Sequence, residues 1–190
     1  IQYVTPNSPA AKAGLKRGDW IGRIDGKQIL AGNFSDINKL LPTNSSSVKV
    51  LKCSFTANAT GDGVIFKEDR ETVEENPIHT HKVLTTSGGA KVGYLLFNQF
   101  KRGYDETDLA NSDEYEQQLR TVFSEFKSAG VDELVLDLRY NPGGYVSTAQ
   151  LLSSLIAPSS KLGSKWLECR PNASRKSTWY NLLTAAEVSD

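Results

Sequence analysis

The stretch from Lys91 to Leu138 constrains the fold most. KVGYLLFN (Lys91 to Asn98) and ELVLDL (Glu133 to Leu138) are apolar runs of strand length. Between them Tyr115, Leu119, Val122, Phe123 and Phe126 recur at three- and four-residue spacing. That spacing predicts one amphipathic helix, opened by a capping box of Asp113 with Glu116 and ended at Gly130. Such a helix buries its apolar stripe on the sheet that its two flanking strands form. The segment therefore predicts a right-handed β-α-β crossover with parallel strands. Upstream, KVLTT precedes KVGYLLFN across Ser87-Gly88-Gly89 and reads as the first arm of a hairpin. Downstream, a second helix is predicted from about Tyr145 to Ala157, stopped by Pro158.

The end of the second strand carries the chemistry. LVLDLRYNPGG (Leu134 to Gly144) runs from an apolar strand straight into Asn-Pro-Gly-Gly. In open parallel sheets, ligands sit beyond the carboxyl ends of strands, where a loop and the next helix's N-terminus offer free N–H groups. Pro142 has no N–H, whereas Gly143 and Gly144 each offer a donor with no Cβ in front of it. Such a pair can hold a developing oxyanion, with the positive end of the following helix behind it. The same residues also suit a plain strand-to-helix turn, and on their own they leave both readings open. Asp137 and Arg139 share a strand face and are expected to pair with each other or to orient the turn, with Asn141 as a further support.

The first third of the chain has a different texture. Within SPAAKAGLKRGD (Ser8 to Asp19), a capping serine and a first-turn proline open a short helix that stops at Gly14. Trp20, Ile21 and Ile24 follow as a strand closed by the turn Asp25-Gly26. Ser35 caps a second short helix bearing Ile37, Leu40 and Leu41, and the strands VKVLKCSF and VIFKEDRETV come next. SPAAKAGLKRGDWIGRIDGKQI resembles the signature of bacterial PDZ domains almost position for position. The resemblance implies a β-rich module that takes a peptide as an added strand and holds its C-terminal carboxylate on backbone N–H groups. The strand and carboxylate loop that open such a module have no counterpart before Ile1. Ile37, Leu40 and Leu41 would line the remaining wall of the groove or simply face the core.

Composition narrows the partners. Twenty-two basic residues balance twenty-two acidic ones with no basic block, which argues against nucleic acid. No apolar run approaches the roughly 20 residues of a membrane span. The absence of methionine, even at position 1, is expected of a piece whose start and targeting signal lay upstream. Cys53 and Cys169, the only cysteines, form neither a disulfide framework nor a zinc-ligand spacing. His79 and His81 would share a strand face, but nothing nearby supplies a third ligand, so neither metal nor cofactor is expected.

VGYLLFNQF, the amphipathic helix and ELVLDLRYNPGGYVSTAQLLSSLIAP together resemble the first half of the catalytic domain of carboxyl-terminal processing, or tail-specific, proteases. That family's L-D-L-R-x-N-x-G-G motif falls on Leu136 to Gly144, and a PDZ domain immediately upstream is its usual arrangement. The resemblance implies α+β and α/β architecture. A PDZ-like module (1–73) and a linker (74–82) would precede part of a crotonase/Clp-protease-like β-α-β domain (83–163), and a tail unlike the family would follow (164–190). It implies a serine endopeptidase with a lysine base, acting outside the cytoplasm on unstructured or C-terminal peptide segments. One of Gly143 and Gly144 would then be an oxyanion donor.

A lysine can deprotonate a serine once burial lowers its pKa toward roughly 7–8. Neither partner is identifiable here: Ser147, Ser153 and Ser154 fall on a helix, and Ser174 with Lys176 is too close in sequence. By itself the chain is expected to be inactive. A sheet cut in mid-domain would expose an edge and apolar surface, so pairing with a second copy is expected. The alternative is a non-catalytic peptide-binding protein with a truncated protease-like domain.

Overall fold

A computed structural model describes residues 1–24, 27–29, 48–53, 63–66, 73–105, 107–108, 111–172 and 174–189. The chain divides into two compact units, Ile1–Glu75 and Asn76–Asp190.

In the first unit, Ser8 takes an extended backbone and its Oγ accepts the Ala11 N–H at 3.2 Å, opening helix α1 (Pro9–Lys12) with Pro9 in its first turn. Leu15 and Asp19 are buried beyond it, and the Asp19 carboxylate accepts the Lys16 N–H at 2.9 Å. Four strands follow: β1 (Trp20–Ile24), β2 (Lys27–Gln28), β3 (Val48–Cys53) and β4 (Gly63–Phe66). They form an antiparallel sheet in the order β2-β1-β3-β4, with Trp20 opposite Cys53 and Val50 opposite Val64. The turn at Asp25-Gly26 and the predicted helix carrying Ile37, Leu40 and Leu41 lie outside the described residues.

The second unit opens with the hairpin β5 (Ile78–Thr85) and β6 (Lys91–Phe97). Residues 78–82, assigned from sequence to a linker, are therefore strand. Histidines and a lysine obscure the strand pattern there, but Ile78, Thr80, His81 and Lys82 pair with residues of the strongly apolar β6, the register shifting between Ile78 and Thr80. Strand β7 (Glu133–Asp137) lies parallel to β6 on its other side, with Gly93 opposite Leu134 and Leu95 opposite Leu136. Helix α2 (Glu114–Ser128) makes the crossover and buries Tyr115, Leu119, Val122 and Phe126. These side chains join Leu95 and Phe97 of β6 and Leu151 and Leu152 of helix α3 (Val146–Ile156) in one core, with Phe123 half-buried at its margin. Burying a leucine- or phenylalanine-sized side chain contributes about 1.5–3 kcal/mol, so this core fixes the ends of β6 and β7 against both helices.

The predicted capping box does not form. Asp113 makes no side-chain cap, because the carbonyl of Arg102 already accepts the N–H groups of Tyr115 (2.9 Å) and Glu116 (3.1 Å). An upstream backbone oxygen thus occupies the donors that Asp113 would have capped.

After a short 3-10 turn at Ser159–Lys161, strands β8 (Lys165–Cys169) and β9 (Thr178–Asn181) form an antiparallel pair, followed by helix α4 (Ala185–Ser189). Lys165 Nζ lies 4.4 Å from the centre of the Trp179 ring. Cys169 is exposed and free. The segment folds back on α3: the Gln150 amide donates to the Asn181 carbonyl at 2.6 Å, and the buried Ser154 Oγ accepts the Leu183 N–H at 2.9 Å. Among the described residues, no helix is long and apolar enough to cross a membrane.

Candidate active site

At the carboxyl end of β7, Asp137 is buried and its carboxylate is saturated with donors. Arg139 contributes Nε (2.9 and 3.1 Å), a terminal guanidinium nitrogen (2.6 Å) and its backbone N–H (3.1 Å). Tyr94 on β6 adds its hydroxyl at 2.8 Å. The hydrogen bond from Arg139 holds the Asp137 carboxyl far below the usual carboxylate range, overriding the opposing effect of burial. Asp137 in turn raises the Arg139 guanidinium, while burial and then the Asp137 hydrogen bond raise the Tyr94 phenol. Asp137 and Arg139 stay ionised and fixed as the chain leaves the sheet, and both carboxylate oxygens are engaged. The cluster is a brace, with no basic lone pair left to take a proton.

Asn141 comes next and joins the two strand ends. Its Nδ2 donates to the Phe97 carbonyl at 3.1 Å, and its Oδ1 accepts the Gly143 N–H at 2.8 Å. The residues after β6 then run beside the glycine pair as a single parallel bridge between Phe100 and Gly144. Phe100 N–H donates to the Gly143 carbonyl at 3.0 Å, and Tyr145 N–H donates to the Phe100 carbonyl at 2.8 Å.

In an extended segment, successive residues turn their backbone groups to opposite sides. Gly143 and Tyr145 therefore bind Phe100, while the N–H of Gly144 points the other way. It has no acceptor among the described residues, and Gly144 is exposed. The Gly143 N–H, by contrast, is already committed to Asn141.

Both glycines are required, for different reasons. Gly143 has φ +116°, a conformation that L side chains rarely adopt, but a Cβ there would meet no atom within 4 Å. At Gly144, with φ +142°, a Cβ would lie 2.2 Å from the Phe100 carbonyl oxygen. Gly144 therefore lies flat against a neighbouring backbone and offers its free donor on the opposite side. Behind it begins α3, with Tyr145 at its N-cap.

The structure thus brings Asp137, Arg139, Asn141, Gly143 and Gly144 together at one strand end. Ile37, Leu40 and Leu41 lie outside the described residues. Tyr94 and Phe100 were not singled out by sequence: Phe100 acts through its backbone, which any residue type would supply. His81 does not converge with a ligand cluster, because its Nε2 sits 3.0 Å from Glu125 Oε2 and its ring meets the edge of Phe126. The serines have other work. Ser154 is buried and donates to the Gln150 carbonyl at 2.7 Å, while Ser174 donates to Asn172 at 2.8 Å on the surface.

Comparison with known proteins decides what this arrangement belongs to. Residues 91–178 match the profile of peptidase family S41, and residues 1–53 match that of the PDZ domain. The chain is 30% identical over 139 residues to a carboxyl-terminal-processing protease of Picosynechococcus, covering 73% of this chain and 30% of that protein. Over both matched segments the chain resembles the carboxyl-terminal-processing proteases. It is also 27% identical over 164 residues to the carboxy-terminal processing protease CtpA of Bacillus subtilis, covering 85% of this chain and 31% of that one.

Among solved structures, a candidate S41 protease of Bacteroides fragilis superposes with a TM-score of 0.71 at 30% identity, covering 99% of this chain and 47% of that chain. The fold alone is shared with the photosystem II D1 C-terminal processing protease, at a TM-score of 0.54 and 24% identity. The chain spans about 30% of the length of the curated relatives it matches. The region matched to S41 takes in the whole β-α-β unit and the glycine pair. It also runs through β8 to the first residue of β9.

Proposed function

We propose that this chain supplies the peptide-binding module and one arm of the oxyanion hole of a serine endopeptidase with a lysine base, acting on unstructured or C-terminal peptide segments. The observation that carries the proposal is the Gly144 N–H, unbonded between two bonded neighbours and held in place by Phe100, Asn141 and the start of α3. A donor fixed in this way can stabilise the negative oxygen of a tetrahedral intermediate without reorganising during the reaction. Gly144 is the donor on this reading. Gly143 shapes the loop, and Asp137, Arg139 and Asn141 are positioning residues.

The PDZ-like module, placed at 1–73, would take the peptide as an added strand, with Ile37, Leu40 and Leu41 lining its groove. None of the serines or lysines of the chain is assigned as nucleophile or base. The site is placed outside the cytoplasm, in the periplasm or cell envelope. A second copy is proposed to cover the exposed β7 edge and the half-exposed Val135 on it.

The test is labelling with a serine-directed fluorophosphonate. The product of the full coding sequence is expected to label and to cleave an unstructured peptide, and this chain alone is not. Labelling of the 190-residue chain would overturn the assignment of its serines.

A further inference from the structure

We infer that Glu116 is a positioning residue for the oxyanion donor, a role that rests on the reading of Gly144 given above. Its side chain is only 13% exposed and touches both α3 and the segment that precedes α2. Oε1 accepts the hydroxyl of Thr148 at 2.6 Å and lies 3.5 Å from the Ser147 hydroxyl, while Oε2 lies 3.5 Å from Arg102 Nε. Ser147 and Thr148 belong to the first turn of α3, directly after the glycine pair, and Thr148 is fully buried. A carboxylate beside a first turn also favours the helix dipole.

These contacts close a ring. From Phe100 the chain runs two residues to Arg102, whose carbonyl opens α2 and whose guanidinium meets Glu116. Glu116 crosses to Thr148, and α3 leads back through Tyr145 and Gly144 to Phe100. The Phe100 backbone bonds tie the two strand-end segments together on one side of the ring, and Glu116 ties them on the other. Without Glu116, the first turn of α3 loses its side-chain tie to α2, and the loop carrying the free N–H keeps only the bonds made by Phe100 and Asn141. The second half of the capping box fails here too, since the carboxylate that would have reached back to Asp113 accepts the Thr148 hydroxyl instead.

Amide hydrogen exchange in the 190-residue chain tests this without reference to catalysis. Glu116→Ala is expected to speed exchange of the Tyr145 N–H by at least about tenfold relative to the amides of β6, the loss of one hydrogen bond to a charged group. Glu116→Gln keeps an acceptor for Thr148 and is expected to stay within about threefold of the parent. Thr148→Val should reproduce the alanine effect, and the double variant should add little to either single one.

In the product of the full coding sequence, Glu116→Ala should lower kcat with KM unchanged, and Glu116→Gln should restore it. Unchanged Tyr145 exchange in Glu116→Ala, or a rise no greater than that of the β6 amides, overturns the inference. A parent protein that fails to label with fluorophosphonate refutes the protease reading instead, and the exchange data still decide whether Glu116 holds the loop.

Discussion

Replacing each glycine of the pair by alanine separates the two reasons for their presence. At Gly144 the new Cβ would start 2.2 Å from the Phe100 carbonyl oxygen, 2.7 Å from its carbonyl carbon and 2.9 Å from its Cβ. Since carbon and oxygen settle at about 3.3–3.6 Å, the two backbones must part by about 1 Å. The obstacle is a backbone atom held by its own hydrogen bonds, so no rotamer change can relieve it. Parting by that much carries the bonds at 2.8 and 3.0 Å beyond hydrogen-bonding range.

Two lost bonds at about 1 kcal/mol each, added to about 1–3 kcal/mol for an alanine at φ +142°, give a cost of about 3–5 kcal/mol. Gly143→Ala meets no atom within 4 Å and incurs only the strain of φ +116°, about 1–3 kcal/mol. Urea denaturation followed by far-UV circular dichroism reads the difference, because α2 and α3 are the longest helices among the described residues and both pack on this loop's scaffold. Peptidase activity of the full-length product should fall about a hundredfold or more in Gly144→Ala, the usual effect of displacing an oxyanion donor by about 1 Å. If Gly144→Ala proves no less stable than Gly143→Ala, the close contact with Phe100 is wrong, and with it the orientation assigned to the Gly144 N–H.

Three further outcomes follow from the same geometry. The folded-state carboxyl of Asp137 titrates below its unfolded value, so its stabilising contribution is complete above the unfolded pKa of about 3.9 and is lost as pH falls through the folded value. Acid unfolding of Asp137→Asn should lack that component, and at neutral pH the variant should be less stable than the parent. Asn141→Ala removes the bonds to Phe97 and Gly143 and should cost about 1–3 kcal/mol, while the amide resonance of Gly143 shifts toward that of a solvent-exposed donor. Asn98 is 3% exposed, and neither polar atom of its amide has a partner among the described residues. Asn98→Leu should therefore stabilise the chain by about 1–3 kcal/mol in a urea titration, and a loss of stability would reveal a partner for that amide.

What could be read from sequence was the part governed by local pattern. The apolar spacing of α2 predicts its buried face, with Phe123 half-buried rather than buried, and the parallel pairing of β6 with β7 follows from the crossover. Asp137 does pair with Arg139, though Arg139 lies in the turn beyond β7 and not on its face, and the glycine pair marks the loop. Hidden from the sequence were contacts made by backbone and by distant chain. The Arg102 carbonyl displaces the predicted cap of α2, and the Phe100 backbone decides which glycine keeps a free donor. Residues 78–82 were missed as strand because a strand's own polar side chains can hide its pairing with an apolar neighbour. Residues 164–190 read as polar and unlike the family, yet the S41 match extends to 178 and their strands pair with each other before folding back on α3.

The choice between the two glycines shows why a pair is needed at all. A donor can be held rigidly and still be free only if the residues on either side take the structural bonds. Here Gly143 gives its N–H to Asn141 and its carbonyl to Phe100, and Tyr145 gives its N–H to Phe100. That geometry requires φ +116° at Gly143, and it presses Gly144 against the Phe100 carbonyl, so a Cβ is excluded from both positions by different forces. The brace of Asp137, Arg139 and Tyr94 sets where the strand ends, Asn141 sets how the turn leaves it, and Glu116 sets where the next helix begins. The carboxylates of Asp137 and Glu116, the Tyr94 hydroxyl and the Asn141 amide are engaged within the scaffold. Between its bonded neighbours, the N–H of Gly144 is left without an acceptor among the described residues.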